Sequence, residues 1–214
     1  MNTRFARLLA LHLLPALLAA GLASAAVAGD DPPDVMIRRM SEEVLATAKA
    51  DQAVRAGDIR RTIALIDSKV MPNVDFRRMT AAAVGPAWRQ ATPEQRQRLQ
   101  DEFKILLART YAGALSGVGE QTIGILPQRA LPTDVDVVVR SEIRGRGEPI
   151  QLEYRLERTP GEGAGWRIYN VNVLGIWVVE TYRNQFAPEI NARGIDGLIA
   201  AIAERNRANN ASLQ

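Results

Sequence analysis

Apolar residues recur at spacings of three and four through the first half of the chain and alternate with polar ones in the second, so helices precede strands. Asp34 is placed to cap a helix carrying Val35, Met40, Val44 and Leu45. Gly57-Asp58 opens another with Ile59, Ile63, Ile66 and Val70, and Pro72 ends it. A short helix from about Asp75 turns Phe76, Met79 and Ala83 inward and stops at Gly85-Pro86. Thr92-Pro93-Glu94-Gln95 reads as a capping box with proline at the first helical position. It starts the longest predicted helix, whose stripe is Leu99, Phe103, Leu106, Leu107, Tyr111 and Leu115.

The period then changes to two. Gln121–Leu126 is a weak strand; Val135, Val137 and Val139 follow, with Asp134 and Asp136 expected on one solvent-facing side. Ile150, Leu152, Tyr154 and Leu156 alternate strictly with Gln151, Glu153, Arg155 and Glu157, and Trp166–Val173 supplies the last strand. Gly145-Arg146-Gly147 and Gly161–Gly165 read as hairpin turns. The pattern predicts an α+β domain: a curved antiparallel sheet of about four strands covered on one face by helices.

The stretch NVLGIWVVETYRNQF, residues 172–186, crowds apolar residues around one glycine. A helix starting near Ile176 would stack Val179, Tyr182, Phe186 and Ile190 on one stripe and send Trp177 to roughly the opposite side. Two readings of Trp177 stay open: packing under a neighbouring helix, or lining a cavity or docking patch.

Arg4 and Arg7, an apolar run to about Leu22 and the A-x-A sites Ala23-Ser24-Ala25 and Ala26-Val27-Ala28 have the form of a secretory signal peptide. The expectation is cleavage after Ala28, leaving residues 29–214 as a single exported domain. That removes His12, the one histidine, and the chain has no cysteine. Ser-His and Cys-His dyads, His/Cys zinc sites and disulfides are thereby excluded. Loss of Arg4 and Arg7 also takes the net charge from +3 to +1, so the balance carries no footprint for nucleic acid. The paired arginines, such as Arg38-Arg39, Arg60-Arg61 and Arg77-Arg78, read first as solvated helix faces and second as docking points for an acidic partner or phosphate.

No catalytic constellation stands out. Gly161–Gly165 lacks the following helix that a phosphate-binding loop needs, and no G-x-x-x-x-G-K-[ST] occurs. Asp134 and Asp136 look solvated, whereas acid/base work needs a desolvated group. Glu153, Arg155 and Glu157 read as cross-strand pairing.

Three stretches carry a resemblance: DFRRMTAAAVGPAWRQATPEQRQRLQDEFKILLARTYAGAL (75–115), WRIYNVNVLGIWVVETYRNQF (166–186) and GIDGLIAAIAERN (194–206). In order, they look like the signature segments of the MlaC family, the phospholipid-binding, toluene-tolerance components of the Mla system that serve as auxiliary parts of an ABC transporter. Some members have an acidic residue before the glycine and a small polar one two positions after it; Leu174 and Trp177 stand here instead. The resemblance implies a periplasmic phospholipid carrier, not an enzyme. Its helices and curved sheet would enclose an apolar cavity for acyl tails, with phospholipid as cargo and no cofactor. Its partners would be an outer-membrane Mla lipoprotein complex and an inner-membrane Mla ABC transporter complex. The residues then expected to meet lipid are Trp88, Phe103, Leu106, Leu107 and Tyr111 from the helices; Val137, Val139, Leu152, Tyr154, Val171 and Val173 from the strands; and Ile176, Trp177 and Val179 beyond the glycine. Two other classes remain open on the residues alone: an isomerase-like enzyme using a buried Asp and Tyr, or an adaptor docking through Trp177.

Overall fold

The structure is a computed structural model, described here for residues 31–116, 118–127, 131, 133–145 and 147–211. The segment 1–28 expected to be a signal peptide and Arg146 of the first predicted hairpin turn lie outside the described residues.

Three helices lead: α1 (Pro33–Ala50), α2 (Gln52–Arg55) and α3 (Ile59–Leu65). The first is not capped by Asp34, which sits inside its first turn behind Pro32 and Pro33. Asp51 and Asp58 cap the next two, each side chain accepting from two backbone N–H groups. A π-helical turn, Ile66–Val70, and a 3-10 turn, Met71–Asn73, follow without a break. Helix α4 (Phe76–Val84) is capped by Asp75 and ends at Gly85, whose φ of 73° suits a residue without Cβ. Another 3-10 turn, Gly85–Arg89, leads to α5 (Pro93–Tyr111), where Thr92 and Gln95 form the predicted capping box. None of these helices, nor the later ones, is long and apolar enough among the described residues to cross a membrane.

The sheet is an antiparallel meander of five strands in the order β1 (Thr122–Ile125), β2 (Asp136–Arg144), β3 (Ile150–Arg158), β4 (Trp166–Val173) and β5 (Ile176–Trp177). The fifth strand replaces the helix start expected at Ile176. Strand β2 begins only at Asp136, so Asp134 does not share its face. Asp134 accepts instead from the Leu131 N–H at 2.8 Å, and Asp136 from the Tyr169 hydroxyl at 2.7 Å. Val135 also precedes the strand and is exposed. The outer face is otherwise as polar as the alternation predicts, with Arg140 donating to its cross-strand neighbour Glu153 at 2.7 Å.

Strand β4 contains a bulge. Arg155 pairs with Asn170 and Leu156 with Ile168, so Tyr169 is an extra residue opposite none. Strict alternation from Trp166 and Ile168 would turn Asn170 and Asn172 inward; the bulge turns Val171 and Val173 inward instead, opposite Tyr154 and Leu152. The asparagines then face the other way, yet both are buried, because β5 and the start of α6 (Val178–Ala211) fold back over them. The Asn170 side-chain oxygen Oδ1 accepts from the N–H groups of Val171 at 2.9 Å and Val179 at 3.2 Å, and the side-chain Nδ2 donates to Glu180 at 2.7 Å. Helix α6 is broken at Gly194. Its first part brings Val179, Tyr182 and Phe186 against α4 and α5, and its second adds Leu198, Ile199 and Ile202 to the same core.

Leu174 and Gly175 join β4 to β5 as a two-residue turn with φ of 52° and 88°. Both angles are positive, as in the tight hairpin turn that usually takes Asn-Gly. Leucine pays for that conformation, and its side chain is 63% exposed, so little burial offsets the strain. Leu174→Asn should therefore raise stability by about 1 kcal/mol in urea denaturation.

Asn170→Ala should lower stability at neutral pH by about 2 kcal/mol, because it strands the buried Val179 N–H and the hydrogen bond to Glu180. Burial pushes the Glu180 carboxyl up, but Asn170, its own backbone N–H and Arg155 outweigh this, and its pKa falls below the ordinary 4.5. A depressed pKa gives stability that is present above 4.5 and is lost as pH falls through the folded value. The gap between wild type and Asn170→Ala should consequently narrow in urea titrations at acid pH.

Candidate functional site

The aromatic ring of Phe103 on α5 organises the centre of the molecule. Phe76, Tyr182 and Phe186 approach it with ring centroids 5.7, 4.9 and 5.3 Å away, the last two edge-on. A smaller core of Leu45, Ala48, Val54, Leu65 and Val118 lies under α1 to α3. Between the two lies a cavity of about 290 Å³.

Its walls follow from helix and strand geometry. One turn beyond Phe103, α5 offers Leu107, Ala108 and Tyr111, and the following 3-10 turn offers Ala112 and Ala114, whose short side chains leave room. The inner face of the sheet contributes Ile143, Ile150, Leu152, Val171 and Val173, all at the end where β2 turns into β3 and β4 into β5. Ile66, Val70, Met71 and Val74 come from the chain between α3 and α4, and Val178 from the start of α6. Phe76, Met79 and Leu115 complete the apolar lining.

Polar side chains reach this wall at three places. The Thr62 hydroxyl is occupied, donating to the Asp58 carbonyl at 3.0 Å. Tyr111 is half-buried, and burial followed by the nearby Tyr182 pushes its phenol above its ordinary pKa, keeping it neutral. Lys104 lays its stem along the wall and donates to Asp67 at 2.8 Å. Among the described residues no cluster of metal-ligating side chains occurs. A hollow with such walls costs the fold stability if left empty, and the groups that fill it well are hydrocarbon.

Of the residues expected from the sequence to meet lipid, Leu107, Tyr111, Leu152, Val171 and Val173 are at this wall. Trp88, Phe103, Leu106, Val137, Val139, Tyr154 and Val179 are buried in the adjoining core rather than exposed to the cavity. Ile176 and Trp177 lie away from it. Ile176 is 58% exposed at the β4–β5 turn, and the Trp177 ring is half-buried beneath the Arg155 guanidinium, 4.0 Å from the ring centroid. Arg155 also donates to Glu180 at 3.0 Å, so the indole forms part of a cation–aromatic stack on the outer face. Arg78 is engaged in a similar way, bonded to Glu157 and 3.7 Å over the Tyr169 ring. Ile66 and Val70 were visible as an apolar helix stripe but carried no sign that a π turn would aim them at a cavity; Ile143, Ile150 and Val178 were missed because core and cavity walls share one pattern.

The fold and its cavity have counterparts in known proteins. A solved structure of a phospholipid-binding protein from Ralstonia solanacearum, in complex with a phospholipid, is 45% identical in sequence and superposes with a TM-score of 0.79, covering 84% of this chain and 99% of that one. The toluene tolerance protein ttg2D of Pseudomonas putida is 29% identical over 189 residues, 85% of this chain and 86% of that protein. The intermembrane phospholipid transport system binding protein MlaC of Haemophilus influenzae is 21% identical over 193 residues, 90% of each. Residues 38–204, nearly everything from α1 to the second part of α6, match the family model described as MlaC protein, and the chain belongs to that family.

Proposed function

We propose that this protein is a phospholipid carrier. It holds acyl tails in the cavity between sheet and helices and performs no chemistry on its cargo. On this reading the chain works in the periplasm after losing residues 1–28. It shuttles lipid between the outer-membrane and inner-membrane complexes of the Mla system, so maintaining outer-membrane lipid asymmetry. The observation that carries it is the apolar cavity itself. The phospholipid bound by the Ralstonia solanacearum protein and the transport role in the name of the Haemophilus influenzae protein support the same reading.

Transfer free energies explain why such a task needs a cavity rather than a catalytic group. At about 0.8 kcal/mol per CH₂, two tails lose more than about 20 kcal/mol on entering water. A cavity that offsets most of this makes an aqueous crossing feasible. Holding lipid does not shift its distribution between two membranes, so direction comes from partner affinities or from ATP used elsewhere. An adaptor that merely docks a protein would have no use for the hollow.

Leu107 sits in the middle of the α5 wall, and Leu107→Asp tests the reading. Native mass spectrometry of the purified wild type should show a bound diacyl lipid. The variant should carry at least about tenfold less, since a carboxylate in an apolar wall costs several kcal/mol. Circular dichroism checks that it is folded; a folded variant with the wild-type complement of lipid contradicts the proposal.

A further inference from the structure

Lys104 is the one formally charged side chain among the described lining residues. Its aliphatic stem belongs to the wall on α5, and its ammonium leaves the cavity to meet Asp67 Oδ1 at 2.8 Å. The lysine side chain is 25% exposed and the aspartate 45%, which puts the pair at the boundary between cavity and water. Carbon on apolar surface with the charge held in solvent is the posture of a snorkelling lysine.

Asp67 belongs to the π-helical turn, whose Ile66 and Val70 line the same cavity. The ion pair therefore ties that turn to α5 along the cavity's edge. The turn closes with the wide bond from the Met71 N–H to the Ile66 carbonyl, a geometry that is rare in helices and recurs at functional sites. An ion pair this exposed adds little to folding stability, so another anion can displace the carboxylate at small cost.

We propose that Lys104 recognises the phosphodiester of a lipid headgroup and that Asp67 holds its place until lipid arrives. This rests on the phospholipid reading of the cavity. With tails against the apolar wall, the first charged group above them is the phosphate, and it reaches water at the rim where the ammonium stands. The ammonium then exchanges a carboxylate oxygen for a phosphate oxygen while Asp67 turns to solvent. Lysine offers a point charge with freely rotating donors rather than a planar fork, so it reads the phosphate and tolerates variation in what is esterified to it. The ligand class is glycerophospholipid, selected against uncharged diacylglycerol with the same tails.

The test offers the protein vesicles containing phosphatidylglycerol and diacylglycerol with identical oleoyl chains, and reads the ratio of the two bound lipids by native mass spectrometry. The wild type should favour phosphatidylglycerol. Lys104→Met keeps the stem and removes the charge, and should reduce the ratio about tenfold. Lys104→Arg should restore most of the preference, and Asp67→Asn, which removes the competing anion, should raise it. Added inorganic phosphate should leave the wild-type ratio unchanged; loss of the preference would assign the ammonium to free phosphate and overturn the headgroup role. A wild type that binds neither lipid defeats the carrier reading together with this one. Phosphatidylglycerol bound in an unchanged ratio by folded Lys104→Met overturns the role of Lys104 alone.

Discussion

One extra residue in β4 decides which side chains the last full strand turns toward the helices. With Tyr169 bulged out, Trp166, Ile168, Val171 and Val173 all face inward although their spacing is not regular. Without the bulge, two asparagines would stand in the cavity wall in place of two valines. The same shift frees Asn170 to sit behind the sheet, where its side-chain oxygen meets the Val179 N–H at the start of α6. The apolar lining and the anchoring of the final helix thus depend on one irregularity in one strand.

The cavity is also a consequence of where the large side chains stop. Phe103 gathers three aromatic neighbours and fills the centre, whereas the chain from Ala108 to Ala114 supplies three alanines to the wall beside the single large ring of Tyr111. The second, smaller core under α1 to α3 keeps the opposite side from collapsing onto it. The π and 3-10 turns between α3 and α4 bridge the two cores and put Ile66, Val70 and Met71 into the gap, with Val74 just after them. Among the described lining residues charge enters at the edge, through Lys104, and the outer face keeps its own ion pairs and cation–aromatic stacks away from the hollow.

Much of this was legible in the sequence because local chemistry determines it. The capping box at Thr92, the caps at Asp58 and Asp75 and the alternation from Ile150 to Leu156 each specify an element with little help from tertiary context. Two features were not. A bulge has no signal in a string of alternating residues, and Leu174 in a left-handed turn runs against its own preference, so the sequence pattern makes β5 look like the start of a helix and sets Trp177 on the wrong element. The stripe of α5 likewise could not divide itself into core and cavity. Phe103 and Leu107 are one turn apart on one face, and only the packing of other elements leaves the second against a space.

A phospholipid carrier of the kind proposed holds acyl tails in this hollow and not on the apolar turn beside it. Loading the protein with a phospholipid that carries a photoreactive diazirine in one tail, followed by irradiation and peptide mapping, tests it directly. Tails held in the hollow should leave labels on Leu107, Leu152 and Val173, from three elements that converge on the cavity. Labels confined to Leu174, Ile176 and Trp177, with the cavity wall unmodified, would contradict it.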